Sequence, residues 1–347
     1  MASVYLLSAA PDAERSEANV SALVALQTSA DADIFGVHSL TTDPHTADLI
    51  LFAELWGAGM QFQAVRRHPL VRRYREKCFL FSSTAFPIPF LPGVYASIEA
   101  RRRSRRTCGG FHVMPMQNEF TSFAPPADDL PYLFSFIGSA RNAPVRQQLA
   151  HLSHPRGYFC DTAAEFQQAL HGRMSPDELR DYARRFVDIT KASKFVLCPR
   201  GLGAATIRLM EAMRVGRAPV IISDGWVAPV GPDWDGCSIR VREGEIDRIP
   251  RLLEEMESKS AAMGNLARQQ WELWFSEKAA FHRVVDWCLQ IREERILPES
   301  LARLPAYLHL LQPFHLRWLF RPRYHALRRF LRPHRPAADV SSARSDS

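Results

Sequence analysis

Ser193-Lys-Phe-Val-Leu-Cys-Pro-Arg-Gly-Leu-Gly-Ala-Ala-Thr-Ile-Arg-Leu-Met-Glu-Ala-Met-Arg-Val-Gly-Arg-Ala-Pro-Val-Ile-Ile-Ser-Asp-Gly-Trp226 reads as a strand, a Gly-rich turn, a helix and a second strand. Phe195 to Cys198 is a short apolar run halted by Pro199, the pattern of a buried parallel strand whose ladder cannot extend further. Gly201 and Gly203 let the backbone come close to a ligand, and Ala204 to Arg214 then carries Ile207, Met210 and Met213 at helical spacing. The turn therefore feeds a helix N-terminus, where free amides and the helix dipole favour an anion such as a phosphate. Arg200 adds a planar guanidinium that matches phosphate oxygens, and Thr206 either caps the first turn or donates to a phosphate. Glu211 has two readings. It accepts the two hydroxyls of a ribose, or it pairs with Arg208 or Arg214 on the same helix face.

The order of these residues resembles the exostosin-type family of glycosyltransferases. The matching positions are Ser193, Phe195, Leu197, Pro199, Arg200, Gly201, Arg208, Glu211, Ala212, Gly216, Pro219, Val220, Asp224, Gly225, Trp226, Pro229 and Trp234. Val196 stands where the family often has Cys, and Val230 where Phe is common. Upstream, Phe134-Ser-Phe-Ile-Gly138 ends a strand and Arg146 follows in a helix over 145–152. The resemblance places Arg146 beside a donor diphosphate, whereas its residue type alone suits a solvated helix position. It also implies a GT-B fold, in which two Rossmann-like α/β domains face a central cleft, and a reaction that needs no metal.

At 347 residues the chain exceeds the usual size of one core, and 46% hydrophobic content supports globular folding. Strands are expected at 4–7, 48–52, 78–82 and 111–116 in a first α/β domain over 1–130. Pro125 to Pro131 is the expected linker. A donor-binding domain over 131–294 carries strands at 133–137, 195–198, 218–222 and 238–241, and its last helix, 277–292, is expected to return to the first domain. A basic Pro/Arg-rich extension follows over 295–347, with a disordered end.

Six scattered cysteines show neither zinc nor disulfide spacing, and no stretch is long and apolar enough for a membrane span, so a cytoplasmic location is expected. The net charge of +7 is concentrated in Arg101 to Arg106 and beyond Arg317. No nucleic-acid signature accompanies these clusters, and nucleic acid is not an expected partner. Aromatics mixed with cations over 308–331 suit either peripheral contact with an anionic membrane face or a packing arm.

These observations define an inverting transferase that takes a UDP- or GDP-linked sugar to a glycan acceptor, as in surface polysaccharide synthesis. The alternative is a non-catalytic nucleotide or polyanion binder that keeps the fold. Donor contacts are expected from Arg146, Arg200, Gly201, Thr206, Arg208, Glu211, Asp224 and Trp226. Asp224 suits a sugar hydroxyl and Trp226 a sugar or base face, while a turn and a core anchor are the structural alternatives. The acceptor base should come from the first domain, where Glu54 follows a buried strand and His68 and His112 compete with it. Asp31-Ala-Asp33, a metal-like spacing, lies far from the donor motif, and no cofactor beyond the nucleotide sugar is expected.

Overall fold

The computed structural model describes residues 1–10, 17–55, 62–113, 118–311 and 315–316. Its strands are β1 (Ala2–Leu7), β2 (His38–Leu40), β3 (Leu49–Glu54), β4 (Cys78–Ser82), β5 (Gly93–Tyr95), β6 (Thr107–Gly109), β7 (Tyr132–Gly138), β8 (Gly157–Asp161), β9 (Ser193–Pro199), β10 (Ala218–Ile222) and β11 (Ile239–Val241). They form two wholly parallel sheets, ordered β2-β1-β3-β4-β5-β6 and β11-β10-β9-β7-β8. This is the two-domain α/β arrangement of GT-B, and every residue of β3, β4, β9 and β10 is buried, as helices on both faces require.

Strand order reverses between β1 and β3 in the first sheet and between β7 and β9 in the second. Such switch points open a crevice at the carboxyl ends of the strands, where α/β proteins bind ligands. In the second sheet the crevice lies between Gly138, which ends β7, and Pro199, which ends β9.

The two halves share a core. Phe81, Phe111 and Val113 of the first cluster with Cys198, Met210, Trp271 and Phe275 of the second. Helix Ala280–Glu293 packs on β5, β6 and helix Glu17–Asp31, so the last helix does return to the first sheet. Loops also meet directly: Glu99 bridges Trp226, and the Ala100 amide donates to the Gly225 carbonyl at 2.9 Å.

Three expectations need correction. Phe111 to Val113 do not pair as a strand: the Gly110 amide donates to the Tyr95 carbonyl and the chain then leaves the sheet, which ends instead with β6. The crossing between halves comes before Pro125, because the Asn118 side-chain amide already donates to Ala183 O at 2.7 Å and Phe120 packs with Ile137 and Phe186. The compact unit runs to Arg303 rather than 294, since Arg295 pairs with Glu76 at 2.7 Å and Glu299 with Arg106. Arg106 also donates to the Pro89 and Phe90 carbonyls, so this member of the basic cluster is structural.

The second unit spans Leu304–Ser347, and of it little beyond the 3₁₀ turns of Leu304–Leu311 is described. Most of 308–331 and all of the chain end lie outside the described residues. No described helix is long and apolar enough to cross a membrane. The six cysteines are free thiols, four of them buried.

Candidate active site

A cleft of about 650 Å³ opens at the switch point of the second sheet. Ser83, Ala85, Ser97 and His112 line it from the first half, and Gly138, Ser139, Arg146, Gly201 to Gly203 and Ala205 to Arg208 from the second. The volume is that of an ordinary ligand site.

Arg146 builds the loop. Its Nε donates to Arg200 O at 2.8 Å, Nη1 to Ser139 O at 3.2 Å, and Nη2 to Pro199 O and Thr206 Oγ1, both at 3.3 Å. It thereby ties the ends of β7 and β9 to the start of helix Ile207–Val215. Only 6% of it is exposed, and burial, with Arg208 alongside, lowers its pKa to about 9, which leaves it charged at neutral pH. Thr206 is the N-cap residue of that helix but makes no side-chain cap, because its hydroxyl oxygen accepts from Arg146. The helix therefore starts without a side-chain cap, and of its first-turn amides Leu209 N–H donates to the Thr206 carbonyl at 3.3 Å.

Arg208 lies between Phe136 and Phe186, with its guanidinium carbon 5.0 and 4.9 Å from the ring centres. Its Nε is buried without a hydrogen-bond partner among the described residues. Burial pulls its pKa below the ordinary range, and Glu211 opposes that shift. Gly138 makes room for it: a Cβ there would sit 2.7 Å from Arg208 Nη2, and the backbone has φ +152°. Among the described residues neither Arg146 nor Arg208 has a carboxylate within 4 Å. Two guanidinium groups, one buried and one half-buried, thus lie at the cleft without an ion-pair partner within 4 Å among the described residues, with the Glu211 carboxylate as the charge Arg208 feels most.

Glu211 lines the same cleft and is 7% exposed. Its Oε1 accepts from the Asn118 amide at 2.8 Å, and the ion pair with Arg208 or Arg214 is not formed among the described residues. Burial raises its pKa, with Arg208 as the main opposing influence.

The remaining expected residues separate from this group. Arg200 turns away, its Nε donating to the Glu243 carboxylate at 2.8 and 3.0 Å, and with Asp224 it lines a second depression of about 490 Å³. Asp224 Oδ1 accepts from the Glu243 amide at 3.1 Å, which is the turn reading. Trp226 is 5% exposed and meets Trp234 edge-on at 5.0 Å, which is the core-anchor reading. Gly201 borders the cleft, but the sterically constrained glycine is Gly203, whose Cβ would lie 2.1 Å from Ala85 O across the interface.

Glu54 is not among the described residues that line the cleft. Its carboxylate accepts from Ser8 Oγ at 3.0 Å and the Ala9 amide at 2.6 Å, fastening the loop after β1. His68 accepts from the Leu70 amide with Nδ1 and caps a short helix. His112 does line the cleft, and burial lowers its pKa to about 4, so it is a neutral imidazole at pH 7. The pattern of residues did not single out Tyr182, Phe186, Asn142 or Glu119, which complete the lining. For Tyr182 and Phe186 a signal existed. Ser175 and Glu178 form a capping box with Pro176 in the first turn of helix Pro176–Lys191, which carries both.

Residues 110–256 match the exostosin GT47 domain model, a span that contains every second-half residue of this cleft. This segment is similar to exostosin GT47 domains. Exostosin-1b of Danio rerio is 25% identical over 144 residues, covering 41% of this chain and 19% of the relative. The Exostosin-1 homolog of Caenorhabditis elegans is 41% identical over 63 residues, covering 18% and 16%. The chain thus matches under a quarter of the length of these relatives. Among solved structures, sucrose-phosphate synthase from Thermosynechococcus elongatus superposes with a TM-score of 0.44 at 9% identity, over 84% of this chain and 99% of that one. The matched span begins where the chain leaves the first sheet, and helix Ile207–Val215 within it carries both Arg208 and Glu211.

Proposed function

We propose that the protein is an inverting, metal-independent glycosyltransferase that moves a sugar from a UDP- or GDP-linked donor to a glycan acceptor. The observation that carries this is the pair of Arg146, which is buried, and Arg208, half-buried with an unpartnered Nε, neither with a carboxylate within 4 Å among the described residues, at a helix N-terminus without a side-chain cap. A diphosphate supplies the missing negative charge, and Glu211, one helical turn further on, is placed for the ribose hydroxyls. Arg208 and the first-turn amides would stabilise charge on the departing diphosphate, while Arg146 holds their scaffold in place.

In this reading the acceptor hydroxyl attacks the anomeric carbon from the face opposite the diphosphate. The anomeric C–O bond breaks, the nucleoside diphosphate leaves, and a base on the first half takes the hydroxyl proton. His112 replaces Glu54 in that role, because it lines the cleft and is neutral, whereas Glu54 is engaged with Ser8 and Ala9. Tyr182 and Phe186 offer aromatic surface beside the diphosphate position.

Calorimetric titration with UDP and GDP tests the donor site. Binding that is lost in Arg208→Met and Glu211→Ala is expected, and no binding of either nucleotide would overturn the proposal. Transfer from a labelled donor to a panel of glycans, with the anomeric configuration of the product read by NMR, separates an inverting enzyme from a nucleotide binder. Transfer that requires an added divalent ion would refute metal independence.

A further inference from the structure

At the opposite end of the first sheet three ligating side chains converge. His38 opens β2 in register with Ala2 at the start of β1, so it lies at the amino ends of the strands, away from the cleft. His282 and Asp286 stand one turn apart on helix Ala280–Glu293 and share a face. His38 Nε2 lies 3.0 Å from Asp286 Oδ1, and His282 Nε2 lies 3.1 Å from Asp286 Oδ2. One carboxylate is thus clasped by two imidazoles, and one ligand atom from each of the three residues lies within 4.8 Å of the others.

Both histidines turn their Nε2 edge to the carboxylate, so Nε2 is the atom each would offer a cation. The Nδ1 atoms of both histidines are buried without a partner among the described residues. Both imidazole side chains are nearly inaccessible, at 1% and 8%, while the Asp286 side chain is 45% exposed and leaves a way in. Phe35 stacks on His282 at 4.1 Å and fixes its ring plane. Arg283, next to His282 on the helix, has its guanidinium carbon 4.6 and 4.0 Å from the ring centres of Phe35 and Trp274.

We infer that His38, His282 and Asp286 form a structural site for a borderline divalent cation, Zn²⁺ in the first instance. Zinc takes imidazole nitrogen and carboxylate oxygen at about 2.0–2.2 Å in tetrahedral geometry, which puts neighbouring ligand atoms about 3.4 Å apart. The two nitrogen–oxygen separations are already close to that spacing, so only modest rotation of the rings is needed. Two imidazoles and a carboxylate leave a fourth position for water on the exposed side of Asp286. The bound ion fastens edge strand β2 to the helix that returns from the second half. Because it lies at the far end of the sheet from the cleft, it stabilises the fold and takes no part in the transfer reaction.

The test uses the full chain, stripped with a chelator and titrated with ZnCl₂ alone. One equivalent should bind and raise Tm. Altering even an outer partner of a metal site costs about 10- to 100-fold in affinity, so Asp286→Asn and His282→Gln should each weaken binding at least about tenfold. Co²⁺ in the unaltered protein should give the intense visible bands of a tetrahedral nitrogen/oxygen site, a readout that survives if His38→Gln fails to fold. No binding, a Tm rise that persists undiminished in Asp286→Asn, or a weak octahedral Co²⁺ spectrum would overturn the assignment and leave a His–Asp–His hydrogen-bonded clamp.

Discussion

Replacing Arg208 with Met should make the ligand-free protein more stable and a poorer binder. The guanidinium carries a buried Nε without a partner among the described residues, a group that costs about 1–3 kcal/mol to keep. It also sits beside the Arg146 cation, whose pKa it helps to lower. Against this, its contacts with Phe136 and Phe186 are worth about 0.5–1 kcal/mol each. A Met thioether recovers much of that against the same rings, at about 0.3–1.5 kcal/mol per contact. The net expectation is a gain of about 1 kcal/mol in unfolding free energy. Binding moves the other way. Losing a charge-assisted contact to a phosphate costs about 3 kcal/mol, on the order of 100-fold in Kd. Urea unfolding of the free protein and calorimetry with UDP and GDP measure the two quantities separately. If Arg208→Met lost more than about 1 kcal/mol of stability and bound nucleotide as before, Arg208 would be a packing residue and the anion-site reasoning would fail.

Four further outcomes follow from the same geometry. His112 is held at about pKa 4 by burial against 6.5 when unfolded, so the unfolded chain binds the extra proton between those values, and stability is lost as the pH is lowered from about 6.5 to about 4, by about 3 kcal/mol in all. Urea unfolding at several pH values should show this slope, and His112→Gln should lack it; equal slopes would refute the neutral buried imidazole. Gly203→Ala forces a Cβ to 2.1 Å from Ala85 O and should cost about 1–3 kcal/mol by thermal unfolding. Gly201→Ala, whose nearest neighbour is Ala205 O at 3.5 Å, should stay within about 0.5 kcal/mol in the same assay. Arg200→Gln should cost about 1 kcal/mol through the part-exposed Glu243 pair and leave nucleotide affinity unchanged in calorimetry, the reverse of what a diphosphate ligand would do.

The strands most plainly read from residues alone were those buried on both faces. Cys78 to Ser82 and Ala218 to Ile222 are unbroken apolar runs, and no other element suits them. β2, β5 and β6 have three residues each, too few for a period to show, and β5 begins with Gly93, which is there because any Cβ would strike the Leu80 carbonyl. At the cleft, Thr206, Arg208 and Glu211 were legible because strand end, turn and helix fix their side of the sheet, whereas Arg146 was placed there only by the family resemblance. Arg200 and Asp224 were not, since the partner that claims both is Glu243, distant in sequence and brought in by the end of β11. Trp226 is a core residue because Trp234 and Arg240 enclose it, which no local spacing reveals. His112 reaches the cleft only through the path the chain takes after β6.

The early crossing between halves has a practical consequence for dissecting the protein. A fragment that starts at Tyr132 would lose Phe123, which lies over Gly216 at the end of the Arg208 helix, and the Asn118 amide that holds Glu211. It would present a weakened nucleotide grip for reasons unrelated to the missing first sheet. A fragment that starts at Asn118 keeps both. The same hydrogen bond ties Glu211 to the segment that joins the two halves, so the side chain at the cleft and the connection between the sheets are held by one contact.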